Sequence, residues 1–247
     1  MTPLISLQDV VFSYPERPSP ILNDLRFDLA PQERVGIIGP NGQGKTTLLH
    51  LCVGLLKPDQ GRLIFKGQPV QNEKDLFPLR QEVGLVFQNP EDQLFSPTVL
   101  EDVAFGPLNL GLNQEQAKER ALWAMDLVGL QGFEQRITHK LSGGEKKILA
   151  LATILAMRPE GLLLDEPTTG LDPDTRQPIM DIVNNLTQSL VIVSHDWDFL
   201  DRTTDVLYTL DQGQLIHTDK GALHQHVHFH PSGHIPHEHP NGLPRKD

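Results

Sequence analysis

The sequence predicts an α/β fold, and three observations support that class. Short apolar runs rich in β-branched residues alternate with amphipathic stretches, a pattern typical of a sheet covered by helices. One of the apolar runs, Arg34–Ile38, continues directly into a glycine-rich loop and a helical stretch. The chain has 247 residues, 38% of them hydrophobic, which is enough to bury the core of one large domain.

Eight segments have the composition of β-strands. The last two flank the turn Asp211-Gln212-Gly213, which predicts a terminal hairpin. The predicted strands are Ile5–Phe12, Arg34–Ile38, Arg62–Phe65, Val83–Phe87, Gly161–Leu164, Leu190–Val193, Val206–Leu210 and Gln214–His217.

Two helix starts are marked by capping residues. Asn113 followed by Gln116 resembles a capping box, and Asp172 followed by Pro173 is a cap with proline at the first helical position. The span from about 88 to 157 is predicted to be mostly helical and to form a subdomain inserted in the α/β core. Its predicted buried face carries Ala117, Ala121, Met125 and Val128.

Charge, cysteine content and hydropathy narrow the function classes. Lys and Arg supply 21 residues and Asp and Glu 32, and the net charge of −11 argues against nucleic-acid binding. The single cysteine, Cys52, has no partner for an internal disulfide and is expected in the core. Met1–Asp9 lacks the pattern of a secretory signal, and the most apolar stretch, Ile148–Met157, is about half as long as a membrane-spanning helix. We therefore expect the chain to stay in the cytosol.

Residues 224–247 form a separate tail behind a folded domain of residues 1–223, with the boundary near Leu223. The tail holds seven of the eleven histidines and almost no large apolar residue, so it cannot form a core. Neutral imidazoles bind Ni²⁺, Co²⁺, Cu²⁺ and Zn²⁺, which makes the tail a candidate metal-binding segment. An engineered tag and a solvated linker without a role remain alternatives. The candidate ligands are His224, His226, His228, His230, His234, His237 and His239.

A phosphate-binding loop (P-loop) follows the strand Arg34–Ile38. Its glycines allow backbone amides to turn inward, and the start of the next helix adds partial positive charge for phosphate oxygens. Lys45 is expected to contact the β- and γ-phosphates, and Thr46 to supply a hydroxyl ligand for Mg²⁺. The loop residues are Gly39, Pro40, Asn41, Gly42, Gln43, Gly44, Lys45, Thr46 and Thr47.

An acidic pair follows the predicted strand Gly161–Leu164. Asp165 is expected to hold Mg²⁺ through water, and Glu166 to polarise the water that attacks the γ-phosphate. Because adjacent side chains on a strand point to opposite faces, we expect this pair where the strand ends and twists.

The order of further motifs resembles that of the ATP-binding-cassette ATPases, from about residue 4 to residue 217. Leu141-Ser142-Gly143-Gly144-Glu145, ahead of the acidic pair, looks like the signature motif of that family. The resemblance also implies an adenine-stacking Tyr14, a Q-loop glutamine Gln88 that serves hydrolysis and Mg²⁺, a D-loop Asp172, and a switch histidine His195. Two positions depart from the pattern: Glu145 stands where many members have Gln, and Ile148 where a basic residue is common.

The resemblance implies a P-loop NTPase core with an antiparallel β subdomain and an inserted helical subdomain. In this family the signature of one subunit covers ATP bound to the P-loop of the other, and Ser142 with Gly143 and Gly144 would form that second anion site at a helix N-terminus. One chain carries one half of each site. It is therefore expected to hydrolyse ATP, with Mg²⁺, as a dimer with itself or with a paralogue.

The run Val86–Phe95 resembles the Q-loop segment of energy-coupling-factor importers, the group that includes cobalt, nickel, biotin and other vitamin carriers. Together with the tail, it implies the ATPase subunit of a cobalt or nickel importer. Such a subunit lies on the cytoplasmic face of the membrane and works through a separate integral membrane subunit.

Several alternatives remain. Zinc, biotin or another vitamin would be other cargoes within the same class. A metallocentre-assembly P-loop GTPase would also combine a P-loop with a histidine-rich segment, but the chain lacks the Asn-Lys-x-Asp motif for guanine. A soluble protein of repair or translation from the same ATPase family would need two cassettes or a coiled-coil insertion, for which 247 residues leave no room.

Overall fold

The computed structural model describes residues 1–17 and 19–219. The histidine tail and the boundary near Leu223 lie outside the described residues. None of the helices within the described ranges is both long and apolar enough to span a bilayer.

The strands and the helices of the described residues are each numbered in chain order. The strands are β1 Ile5–Phe12, β2 Leu22–Leu29, β3 Arg34–Ile38, β4 Gln60–Phe65, β5 Gln68–Pro69, β6 Val83–Val86, β7 Gly161–Asp165, β8 Ser189–Val193, β9 Val206–Asp211 and β10 Gln214–Thr218. The α-helices are α1 Lys45–Cys52, α2 Glu73–Glu82, α3 Val99–Asn109, α4 Gln114–Leu127, α5 Gly143–Leu155, α6 Pro173–Asn185 and α7 Trp197–Thr203. Short 3-10 helices cover Pro90–Asp92 and Thr138–Lys140.

The central sheet has the strand order β10-β9-β3-β8-β7-β6. All its neighbouring strands run parallel except β10, which pairs antiparallel with β9. Strands β6, β7 and β8 are buried along their whole length, as expected for a parallel sheet covered on both faces. The predicted α/β class is confirmed.

Alternate residues of the central strands serve two separate hydrophobic cores. Leu162 and Leu164 of β7 belong to the core shared with α3, α4, α5 and α6. Leu163, between them, belongs to the core shared with α1 and the antiparallel sheet. Cys52 lies in this second core, where burial raises the pKa of its thiol to about 12.

The second sheet is antiparallel, with the order β2-β1-β4-β5. Strand β2 and the two-residue β5 are not among the strands predicted from the sequence. In β2 the polar pair Asn23-Asp24 interrupts the alternation of apolar and polar residues, because Asp24 adopts a left-handed conformation with φ +51°. Asp9 on the paired strand β1 has φ +53°, and the register between the strands shifts there. This bulge conceals the strand in the sequence.

The predicted local signals at the helices and the hairpin are confirmed. Asn113 and Gln116 form the reciprocal bonds of a capping box, and Asp172 caps α6 with Pro173 in its first turn. The turn between β9 and β10 has positive φ at Gln212 and Gly213, as a tight hairpin requires. The residues predicted to line the buried face are all buried: Ala117, Ala121, Met125 and Val128.

Arg34, at the start of β3, ties the central sheet to the ends of two helices. Its Nε donates to the Thr203 carbonyl at 2.8 Å, at the end of α7. Its two terminal nitrogens donate to the carbonyls of Leu186 (3.0 Å) and Val183 (2.8 Å), at the end of α6. One guanidinium therefore binds three carbonyls at the ends of two helices, where carbonyls lack full intrahelical bonding; the Val183 carbonyl also accepts from the Leu186 amide at 3.2 Å.

We predict that Arg34→Met lowers the free energy of unfolding by about 2–4 kcal/mol, because partly buried carbonyls lose their donors. Urea denaturation followed by circular dichroism would measure the change. Arg62→Met is the matched control, because Arg62 makes an exposed bond to Gln8 on the antiparallel sheet and should change stability by less than about 0.5 kcal/mol. Equal effects of the two substitutions would contradict this role of Arg34.

Candidate functional site

The loop between β3 and α1 and the carboxyl ends of β7 and β8 border one open cleft of about 520 Å³. Ligand sites of parallel α/β sheets lie at this end of the strands. The lining residues are Tyr14, Arg17, Ile21, Asn41, Gly42, Gly44, Lys45, Thr46, Thr47, Gln88, Asp165, Glu166, Thr169, Val193 and His195.

The loop between β3 and α1 has the backbone that a phosphate cradle needs. Gly39 has φ +148°, and a Cβ at that position would lie 2.6 Å from the Leu210 carbonyl oxygen. Gly44, with φ +103°, caps the N-terminus of α1. The loop therefore turns tightly and directs the N-terminus of a helix at the cleft, where it favours anions.

Lys45 is buried although its ammonium group lies at the cleft. Its Nζ donates to the carbonyls of Gly39 at 2.8 Å and Pro40 at 3.0 Å. Burial lowers the pKa of Lys45, and the nearby charges of Glu166 and Asp165 oppose that shift. The cleft therefore places a buried cation opposite two carboxylates.

Asp165 and Thr46 lie together in the cleft. Thr46 Oγ1 donates to Asp165 Oδ2 at 2.7 Å. Asp165 Oδ1 is buried and has no hydrogen-bond partner among the described residues. Burial raises the pKa of Asp165, while the bond from Thr46 lowers it. A hard cation would satisfy the orphaned oxygen, so this hydroxyl and carboxylate fit Mg²⁺.

Glu166 is the first residue after β7 and has φ +48°. A non-glycine residue in this left-handed region costs about 1–3 kcal/mol, so surrounding contacts must hold it. Thr169 Oγ1 and the His195 backbone amide donate to Glu166 Oε2 at 2.7 and 3.3 Å. The expected twist at the end of the strand is present, and it lets both members of the acidic pair line one cleft.

His195 extends from the loop after β8 and reaches both sides of the cleft. Its Nε2 lies 2.8 Å from Asn41 Oδ1 on the phosphate loop and 3.3 Å from Glu166 Oε1. Lys45 Nζ is 3.3 Å from the same nitrogen. About half of the side chain is exposed, so the imidazole is accessible to a ligand.

Two further predicted residues border the same cleft. The Tyr14 ring meets Phe12 edge-on, and its hydroxyl lies 3.0 Å from Thr47 Oγ1. Gln88 is exposed at the cleft just beyond β6.

The signature residues and Asp172 do not line this cleft within the described structure. Ser142 caps α5 through reciprocal bonds with Glu145, and Asp172 caps α6. The two helix starts lie side by side, because a Cβ on Gly144 would be 2.1 Å from Thr175 Cγ2. Ser142, Gly143 and Asp172 are exposed. The start of α5 is therefore an exposed helix N-terminus outside the phosphate cleft of its own chain.

Three residues that border the cleft or bond its Glu166 received no role from the sequence. Arg17 borders it and donates to the Gly42 carbonyl at 3.2 Å. Thr169 bonds the Glu166 carboxylate, and Lys147 Nζ donates to the Glu166 carbonyl at 3.0 Å. Only the position of Thr169, three residues after Glu166, could have indicated a local bond, because the other two contacts join distant segments.

The candidate metal ligands of the tail lie outside the described residues. Within the part that the structure describes, no group of three or more His, Cys, Asp or Glu side chains is arranged to hold a metal ion.

Comparisons with known proteins identify the family. The family described as ABC transporter matches residues 22–169. A putative ABC transporter ATP-binding protein of Nitratidesulfovibrio vulgaris is 51% identical, covering 97% of this chain and 87% of its own length. The energy-coupling factor transporter ATP-binding protein EcfA of Methanothermobacter thermautotrophicus is 48% identical over 86% of this chain and 70% of its own length.

Solved structures share the fold, among them the following two. CbiO1 from Clostridium perfringens, part of the ABC transporter complex cbiONQ, is 33% identical and aligns with a TM-score of 0.78, covering 87% of this chain and 88% of CbiO1. The ATP-binding cassette MJ0796, in a dimeric post-hydrolysis state bound to ADP and Pi, is 26% identical and aligns with a TM-score of 0.79. The alignment covers 87% of this chain and 98% of the MJ0796 chain. The matched segment, the close relatives and the shared fold show that this chain belongs to the ABC transporter family, as an ATPase.

Proposed function

We propose that this chain is the ATP-hydrolysing subunit of an energy-coupling-factor importer for cobalt or nickel. The observation that carries the catalytic part is the position of Glu166: its buried carboxylate lines the phosphate cleft between Thr169 and His195.

The chemistry follows from the cleft. The phosphate loop and Lys45 bind the β- and γ-phosphates of ATP, and the Tyr14 ring contacts adenine. Glu166 takes a proton from the attacking water while the water oxygen bonds to the γ-phosphorus and the bond to ADP breaks. His195, which bridges Asn41 and Glu166, holds the γ-phosphate in line.

Mg²⁺ is the cofactor that the donor set fits. Thr46, Gln88 and Asp165 would hold it, and the orphaned Oδ1 of Asp165 is the observation that favours a cation there. When bound, the ion neutralises the charge that develops on the β- and γ-phosphates.

Hydrolysis requires a second ATPase subunit, a copy of this chain or a paralogue. Ser142 and Gly143 are exposed at the start of α5 and are not part of the cleft in their own chain. An exposed helix N-terminus of this kind binds phosphate oxygens, so it suits the nucleotide in the partner's cleft. The dimeric structure of MJ0796 with ADP and Pi supports this arrangement.

The segment after Gln88 is proposed to contact an integral membrane subunit on the cytoplasmic face. Gln93 anchors this segment to α5, since its Nε2 donates to the Ala150 carbonyl at 2.7 Å and to Thr153 Oγ1 at 2.8 Å. Phe95 and Phe105 then form an edge-to-face pair that is largely exposed. An exposed aromatic pair offers apolar surface that a protein partner would cover. The likeness to EcfA and CbiO1 supports the same partner class.

The cargo assignment depends on the tail. Seven imidazoles in residues 224–247 are suited to Ni²⁺ and Co²⁺, and also to Zn²⁺, so zinc is an alternative cargo along with biotin and other vitamins. Membership of the ABC transporter family removes the metallocentre-assembly GTPase from the alternatives.

Glu166→Gln is predicted to lower ATP hydrolysis by about 100-fold or more and to trap an ATP-bound dimer, because the variant lacks the base. Phosphate release and size-exclusion chromatography with ATP and Mg²⁺ would measure the two effects. Glu160→Gln is the matched control, because Glu160 pairs with Lys66 at the surface and should keep the wild-type rate. Rapid turnover by Glu166→Gln would refute the mechanism.

The same pair of variants tests the cargo. In cells that lack the protein, the wild type and Glu160→Gln should restore nickel or cobalt content, measured by elemental mass spectrometry, and Glu166→Gln should not. If hydrolysis behaves as predicted while neither metal changes, the ATPase role stands and the cargo assignment is wrong.

Deleting residues 224–247 is predicted to reduce the number of Ni²⁺ ions bound per chain while sparing ATP hydrolysis, because the cleft lies within residues 14–195. Calorimetric titration with NiCl₂ would count the ions. A full-length variant with the seven tail histidines replaced by asparagine separates the loss of ligands from the loss of chain. Unchanged Ni²⁺ binding in both variants would contradict the role of the tail.

A further inference from the structure

Lys147 is a partly buried cation that the proposed mechanism does not use. It lies in α5, five residues beyond Ser142, and its Nζ donates to the backbone carbonyl of Glu166 at 3.0 Å. Burial lowers the pKa of Lys147, and the charges of Glu166 and Asp165 oppose that shift. The contact joins the signature helix directly to the backbone of the proposed catalytic base.

The bonded carbonyl belongs to a strained residue. Glu166 has φ +48°, and its amide donates to the Val193 carbonyl at 2.9 Å. Its own carbonyl accepts from the Thr169 amide at 3.3 Å and from Lys147 Nζ. The bond from Thr169 is local, so Lys147 supplies the contact that fixes this peptide from a separate helix. Displacement of this peptide would disturb the carboxylate, because Thr169, whose amide bonds the Glu166 carbonyl, also donates its hydroxyl to Glu166 Oε2 at 2.7 Å.

The neighbouring lysine behaves differently. Lys146 forms an ion pair with Glu91, a residue of the short helix after Gln88. Lys147 instead directs its charge at a neutral carbonyl, and partial burial of an ammonium group is unfavourable unless its hydrogen bonds are made. The position of the charge beside both carboxylates offsets that cost, because unlike charges attract.

We infer that Lys147 is a positioning residue for hydrolysis: its bond to the Glu166 carbonyl keeps the carboxylate of Glu166 aimed into the phosphate cleft. This inference rests on the proposed function, in which Glu166 activates water. Lys147 does not contact ATP in this account, so its loss affects the chemical step and leaves nucleotide binding intact.

The test is the steady-state ATPase kinetics of the full chain in its active assembly, with Lys147→Met as the main variant. Its kcat is expected to fall about 10-fold or more while KM for ATP stays within about twofold, because misorientation of a catalytic group affects kcat. Lys147→Arg keeps a donor of similar reach and is expected to retain kcat within about threefold. Lys118→Met, which removes an exposed lysine of α4, is the control and should keep the wild-type kcat.

A double substitution separates positioning from a general loss of structure. In the Glu166→Gln background, Lys147→Met should not lower the residual rate further, because the residue that it positions has already lost its function. If Lys147→Met does not fold, Lys147→Gln takes its place in the same comparison, because glutamine also lacks the positive charge of Lys147.

The inference is overturned if folded Lys147→Met or Lys147→Gln keeps the wild-type kcat, if only KM changes, or if the effects at 147 and 166 are additive. Failure of the proposed function gives a different result, since Glu166→Gln itself would then hydrolyse ATP at the wild-type rate.

Discussion

The buried charges of Lys45, Asp165 and Glu166 are the interaction on which the rest of the site depends. The three side chains are almost fully buried, and one oxygen of each carboxylate has no hydrogen bond among the described residues. Buried carboxylate oxygens without hydrogen bonds are unfavourable, so they favour a ligand that brings a cation, while Lys45 and the helix N-terminus beside it favour one that brings an anion. ATP with Mg²⁺ is a ligand of that kind. The strand ends, the tight turn at Gly39 and the left-handed residue Glu166 all serve to hold these charges next to one another.

The two helix N-termini that we propose to bind phosphate oxygens lie in different places on the chain. The cleft has one helix N-terminus, at α1, while the start of α5 is exposed beside the start of α6. A γ-phosphate between two such helix starts is stabilised from both sides, and its loss on hydrolysis removes the link. The contact of Lys147 adds a mechanical connection, since the helix that begins with the signature also holds the backbone of Glu166. In the proposed mechanism, a movement of α5 therefore acts on Glu166 as well as on the start of α5 that we propose to bind the partner's nucleotide.

Much of this could be predicted from the sequence, because local chemistry determines it. The glycine-rich loop, the capping residues Asn113 and Asp172 and the fully buried strands all have signals within a few residues, and their predicted positions agree with the structure. Strand β2 was missed because the bulge at Asp24 breaks its alternation. Arg17 and Lys147 were missed because their partners lie 25 and 19 residues away. Such contacts depend on the tertiary fold and leave no periodic pattern. The roles assigned to the site residues stay predictions until the variants are measured.

The central claim is that each ATP is hydrolysed between the cleft of one subunit and the signature of another. Ser142→Arg tests it most directly, because Ser142 lies outside the cleft of its own chain and the bulky cation would block the partner's phosphate. Binding of ATP and the rate of hydrolysis should be measured on the same preparation of the assembled transporter. The account predicts ATP binding at the wild-type affinity with hydrolysis strongly reduced. Hydrolysis at the wild-type rate would contradict it, because a single subunit would then suffice.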